Sequence, residues 1–239
     1  YIQQHVYDGE PIENEIIDLG FWPGGDRDGN PFVTTKITLN VAERLRQTIL
    51  RSYYRDIRRL KRRFTFDGVQ NILSKVEKRL YKHVVRSYAK VNFSQKILLE
   101  ELYAAREIIV NEHQSLFVEE LNDVINKVRI FGFHFATLDI RQDSRVHHKA
   151  FTQIVEDLHK IGDTTFPKNY LTLSEKEQID ILSVVKGEID TNILTDETSV
   201  KTIESIYALK EIQHRNGERG ANRYIISNNQ TALNVMETF

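Results

Sequence analysis

The 239 residues contain no cysteine, and proline (4), glycine (11), methionine (1) and tryptophan (1) are few. Without cysteine there is no disulfide framework, no thiolate zinc site and no cysteine nucleophile. A reducing, cytoplasmic setting fits that absence. Scarce glycine and proline favour long helices. No apolar run approaches the roughly 18 residues that a membrane span needs. The opening Tyr1-Ile2-Gln3-Gln4-His5 is neither a signal nor a transit peptide. It lacks an initiator methionine, so the chain is expected to be an excised piece of a longer one. What is present is ordinary for a soluble globular protein: 40% apolar and 28% charged residues, and a net charge of −1. No internal repeat or low-complexity segment is seen.

The near-neutral total hides an asymmetry. Residues 1–30 carry seven acids (Asp8, Glu10, Glu13, Glu15, Asp18, Asp26, Asp28) against one base, Arg27. Residues 44–63 carry nine bases (Arg44, Arg46, Arg51, Arg55, Arg58, Arg59, Lys61, Arg62, Arg63) against Asp56, a net of +8. Such a block can meet nucleic acid or an acidic partner, or it can be a solvated helix face paired with acids elsewhere in the fold.

Hydrophobic periodicity predicts a mostly helical chain. Thr34 and Thr35 are candidate caps for a helix with a buried stripe at Ile37, Val41, Leu45, Ile49, Tyr53, Ile57 and Leu60. Phe66-Asp67-Gly68 reads as a turn before a helix through Val69, Leu73, Val76 and Leu80. Ser94 caps a third helix, and a fourth runs near 113–130 from Leu116 to Val128. A strand is expected within 133–140, followed by a helix burying Phe151, Ile154, Val155 and Leu158. The stretch 162–173 reads as a loop, and Ser174-Glu175-Lys176-Glu177 as a capping box. Asp196 or Thr198 starts a helix that buries Val200, Ile203, Ile206 and Tyr207 and ends at Asn216-Gly217. Tyr224-Ile225-Ile226-Ser227 is a second short strand, and a last helix starts near Gln230. Two strands that form no hairpin need partners, which are expected in sequence outside this chain.

The least ordinary segment is Gly20-Phe21-Trp22-Pro23-Gly24-Gly25-Asp26-Arg27-Asp28-Gly29-Asn30-Pro31-Phe32-Val33-Thr34. Its glycines permit backbone geometry closed to other residues and close approach of a ligand or another backbone. Asp26 and Asp28 can hold Arg27 or cap backbone N–H groups, and Trp22 offers an apolar wall with one donor. The segment lacks the Gly-Lys-Ser/Thr ending of a phosphate loop and the glycine spacing of a dinucleotide fingerprint.

Trp22-Pro23-Gly24-Gly25-Asp26-Arg27-Asp28-Gly29-Asn30-Pro31, with Val33-Thr34, resembles the W-x-GGDRDGNP-x-VT motif of the phosphoenolpyruvate carboxylases. Phe131-Gly132, then Leu138-Asp139-Ile140-Arg141-Gln142 and His147, resembles the family's FG…LDIRQ…H segment. Tyr224-Ile225-Ile226-Ser227, with Thr231 and Val235, resembles its Y-V-I-S strand and the helix behind it. Pro23 stands where the family often has Met or Ile, and Asn228-Asn229 where Met-Ala is common.

The resemblance implies that residues 1–239 are a single helical fragment of a larger, heavily elaborated β/α (TIM-type) barrel domain: mostly α, with two short barrel-type strands. It implies an enzyme that joins bicarbonate to phosphoenolpyruvate, giving oxaloacetate and phosphate in a carboxyphosphate–enolate scheme with Mg2+ or Mn2+. The implied parent is a homotetramer that neither crosses a membrane nor needs nucleic acid. The implied substrate contacts are Arg141, for the phosphate, and Trp22, walling the same site. Arg141 is placed near the C-terminal end of a strand, where barrel sites lie, and its guanidinium fork suits an oxyanion. The open alternative is an ion pair with Asp139 or Asp143. Arg27, with Asp26 and Asp28, is either part of an activator site, as in some members, or a structural residue locked by the two acids. No TAHPT-like histidine motif, glycine-rich FHGRGG loop or metal-binding carboxylate pair of the family is found here, so no catalytic residue and no metal ligand is assigned, and the fragment alone is expected to be inactive. His147 and His148 are adjacent and so diverge on a helix, and His134 reads as a packed side chain. The rival function is a non-catalytic helical module that binds nucleic acid or an acidic partner through Arg44–Arg63.

Overall fold

The computed structural model describes residues 18–28, 30, 32–85 and 93–239. Asp8, Glu10, Glu13 and Glu15 of the acidic start, and Gly29 and Pro31 of the glycine-rich loop, lie outside the described residues. In chain order the elements are β1 (Gly20–Phe21), α1 (Thr35–Arg63), α2 (Val69–Val85), α3 (Gln95–Glu112), α4 (Val118–Phe131), β2 (Thr137–Leu138), β3 (Ile140–Asp143), α5 (Ser144–Lys160), α6 (Glu175–Leu182), α7 (Glu197–Asn216), β4 (Tyr224–Ser227) and α8 (Ala232–Met236). The fold is therefore mostly helical, and no closed barrel forms among the described residues.

The helix starts follow local chemistry. Thr34, Ser94, Asp196 and Thr231 each accept a backbone N–H from the first turn, and Ser174 with Glu177 closes a complete capping box. The fourth helix starts at Val118 rather than near 113, because Gln114, Ser115 and Phe117 all adopt left-handed backbone and break the helical path. Leu116 consequently lies in the turn, exposed, and not on a buried helix face.

Three clusters of buried side chains hold the elements together. The largest joins α1–α4 and centres on Leu50, Tyr53, Ile57, Leu60, Leu73, Leu80, Leu98 and Leu121. On α1 the stripe holds from Ile49 onward, but at its start Thr38, Ala42 and Arg46 are buried, while Ile37 is exposed. The second cluster packs Ile154, Val155, Leu158, Phe166, Tyr170 and Leu194 between α5 and α7. Asp157 pins this region: it accepts from the Thr195 N–H at 2.9 Å and from Lys160 at 2.8 Å. The third is small, with Ala42, Leu138, Ile140, Ile212 and Ala221 seating the strands against α1 and α7.

The strands depart from expectation in number, position and partners. There are four rather than two, in two parallel pairs: Gly20 lies opposite Thr137, and Ile140–Asp143 opposite Tyr224–Ser227. The strand expected within 133–140 starts only at Thr137, since Gly132 and Phe135 have positive φ and make 132–136 a turn. Within the anticipated range, Thr137–Leu138 pairs with β1, and the anticipated strand at 224–227 pairs with β3, which begins only at Ile140, so these edges are partly satisfied within this chain.

Part of the basic block is paired inside the fold. Arg58 and Lys61 both pair with Glu77, Arg59 with Asp56 and Arg63 with Glu120. Arg46 turns inward and donates to the Arg215 carbonyl at 3.2 Å. Glu77 and Glu120 lie on α2 and α4, and Asp56 on α1 itself. No helix among the described residues is long and apolar enough to cross a membrane.

Candidate functional site

The glycine-rich loop and the LDIRQ segment meet edge to edge. The N–H groups of Gly25 and Asp26 donate to the Trp22 carbonyl, which turns the chain sharply. The loop then runs beside β3: the Arg141 N–H donates to the Gly25 carbonyl at 3.0 Å and the Arg27 N–H to the Arg141 carbonyl at 2.9 Å. Asp26 thus lies opposite Arg141 in a parallel bridge. The approach requires glycine, because a Cβ on Gly25 would stand 2.2 Å from the Asp139 carbonyl oxygen. Gly24, at φ +85°, is held by the Thr38 hydroxyl, which donates to its carbonyl at 2.7 Å.

This pairing carries Trp22 and Arg141 to one place. The Arg141 guanidinium carbon stands 6.0 Å from the centre of the Trp22 ring, the outer limit for a cation–π contact. Trp22 is more than half exposed, and Arg141 is half-buried. Neither acid offered as a partner takes Arg141: Asp139 pairs with Arg223 at 2.9 Å, and Asp143 pairs with Arg145. The buried Arg141 Nε has no hydrogen-bond partner among the described residues. Arg141 is the second residue of β3, however, and not at the strand's C-terminal end.

The flanking acids do not hold Arg27. Asp26 instead accepts the Asp28 N–H at 3.2 Å, stabilising the turn. The Arg27 guanidinium donates to the carbonyls of Val33 and Lys201, each at 3.1 Å. Burial lowers its pKa, opposed by Tyr224 and Glu204.

Behind Arg27 lies a polar layer that sequence periodicity does not reveal. The face of α7 buried here is Ser199, Thr202, Ser205 and Ala208, whereas Val200, Ile203, Ile206 and Tyr207 are half-buried. His147 on α5 shares a 2.8 Å hydrogen bond with the Tyr224 hydroxyl on β4. Burial, with a smaller contribution from Arg27, brings the His147 pKa down to about 4. Burial pushes the Tyr224 pKa up to about 12. His134, beside Gly132 and Gly220, is likewise brought down to about 4 by burial, with Arg219 adding to the shift.

These two histidines give a pH prediction. A depressed histidine pKa means that the unfolded chain binds protons more readily, so stability is whole above about pH 6.5 and falls toward pH 4. A shift from 6.5 to about 4 corresponds to about 3 kcal/mol per histidine. Urea midpoints between pH 7.5 and 4 should fall accordingly, and His147→Gln should flatten that slope. A slope unchanged by the substitution would count against a neutral, buried His147.

The residues present do not fit a divalent metal: among those described, no three histidine, aspartate or glutamate side chains converge. His148 instead pairs with Glu237 at 2.8 Å.

The chain is thus mostly helical, with two pairs of short parallel strands and an arginine set beside a tryptophan and a glycine-rich turn. The sequence profile of the phosphoenolpyruvate carboxylases matches residues 1–96 and 69–239, and the chain belongs to that family. It is similar to the phosphoenolpyruvate carboxylase of Nitrosomonas eutropha, 25% identical over 279 aligned residues that cover 99% of this chain and 29% of the relative. For the enzyme of Thermosynechococcus vestitus, identity is 25% over 282 residues, covering 95% of this chain and 27% of the relative. For that of Vibrio vulnificus it is 25% over 263 residues, covering 98% and 29%. The chain thus spans less than a third of the length of the curated relatives it matches.

Proposed function

We propose that this chain is the part of a phosphoenolpyruvate carboxylase that supplies one wall and one cation of the substrate site. The observation that carries the reading is the Arg141 guanidinium, set against Trp22 and claimed by neither nearby acid. A trianionic phosphoenolpyruvate needs fixed cations, and a planar guanidinium binds a phosphoryl group through two parallel hydrogen bonds. Trp22 excludes water on one side, which strengthens that charge contact. In this reading residues 1–239 are one helical fragment of a larger barrel domain. Bicarbonate, the divalent cation and the groups that hold it meet Arg141 from the remainder of the chain, in a homotetramer. The metal would stabilise the developing enolate when bound; this chain's own part is to orient the phosphoryl group.

The test is oxaloacetate formation, coupled to its reduction, by the full-length protein that carries this segment. Turnover should require both bicarbonate and a divalent cation, and the 239-residue chain alone should show none. A folded full-length protein without turnover, or turnover by the isolated chain that disappears in Arg141→Ala, would overturn the reading.

A further inference from the structure

Arg27 turns two of its five side-chain donors onto the protein's own backbone. Its Nε and Nη1 donate to two backbone carbonyls, Val33 in its own loop and Lys201 on α7. Its backbone N–H donates to the Arg141 carbonyl, and two residues earlier the Gly25 carbonyl accepts the Arg141 N–H. One side chain therefore ties the loop to α7, while the same residue's backbone grips the strand position that carries Arg141. We propose that Arg27 is a positioning residue: it fixes Arg141 through the backbone. The inference rests on the reading of Arg141 as the phosphate contact and deepens it.

The chemistry predicts a specific pattern of substitution. Lysine keeps the charge, but its single ammonium cannot reproduce the planar fork that reaches two carbonyls at once. A tether is therefore lost in Arg27→Lys about as fully as in Arg27→Ala, whereas a simple charge contact would largely survive in lysine. The readout is amide hydrogen exchange of the 239-residue chain, together with emission from Trp22, its one tryptophan. Both variants should speed exchange roughly ten-fold or more in 20–28 and 139–143, and leave the α2 segment at wild-type protection. Trp22 emission should shift in both. Where Arg27→Ala fails to fold, Arg27→Gln, which keeps a shorter donor, serves in its place.

In the full-length enzyme, Arg27→Lys should raise KM for phosphoenolpyruvate about ten-fold and leave that for bicarbonate unchanged, as expected when one substrate's contact is misplaced. Unchanged exchange and emission in the alanine variant, or full rescue by lysine, overturns the inference and leaves the role of Arg141 standing. Faster exchange in an enzyme whose turnover ignores Arg141→Ala overturns both, since Arg27 would then position a residue without a catalytic part.

Discussion

On the proposed reading, Arg141→Ala in the full-length protein should lower oxaloacetate formation by about 10²–10³-fold, the effect of removing one preorganised donor from an oxyanion. The same substitution should move the melting temperature by no more than about 2 °C, because it breaks no ion pair among the described residues. The combination separates the two roles open to this residue. A structural arginine would lower thermal stability and spare turnover; a substrate contact does the reverse. Arg141→Lys should recover only part of the loss, since an ammonium offers a point charge and not a fork. Turnover within two-fold of wild type in Arg141→Ala would remove the residue from the site.

Gly25→Val should be the most damaging single change in the loop. The oxygen that any Cβ would strike, at 2.2 Å, belongs to the backbone of Asp139 and cannot swing aside like a side chain. Relief requires the loop to leave β3, which breaks the hydrogen bonds on both sides of Arg141. The cost should be about 3 kcal/mol, typical of severe overpacking, and a drop in melting temperature of roughly 6–12 °C. Gly162→Ala is the control: nothing lies within 4 Å of its Cβ, so only the strain of φ +81° remains, about 1 kcal/mol. Equal losses at the two positions would show that close approach to β3 is not what fixes Gly25.

What the sequence revealed follows from the range of the interactions. Thr34, Ser94, Ser174 and Asp196 were legible as caps because each acts on a backbone group two or three residues away. The core of α1–α4 was legible because leucine and isoleucine recur at helical spacing. The start of α4 was not, because three consecutive-turn residues without glycine adopt left-handed backbone. The buried face of α7 was missed because its neighbours are polar: Arg27 reaches the Lys201 carbonyl and Tyr224 faces Ser205, so serine and threonine lie inside and isoleucine toward the rim. The motif residues Trp22, Arg27 and Arg141 stood out by their resemblance to the family. Their partners did not, since the Val33 and Lys201 carbonyls carry no side-chain signature, and β1, two residues long, has no periodicity to read.

The parallel pairing of β3 with β4 also bears on the order of assembly. Residues 140 and 224 are joined only after about 80 intervening residues close into a loop, an entropic cost of roughly 4 kcal/mol, about twice that of the short connections between α1 and α4. The helical half, rich in near-neighbour contacts, can therefore gather first, while the loop–strand junction around Arg141 waits for α7 and β4 to arrive. In refolding, the tryptophan signal should trail the recovery of helical ellipticity. On the ribosome, the arginine would be made long before β4, so its neighbouring strand is in place only when that later segment has docked.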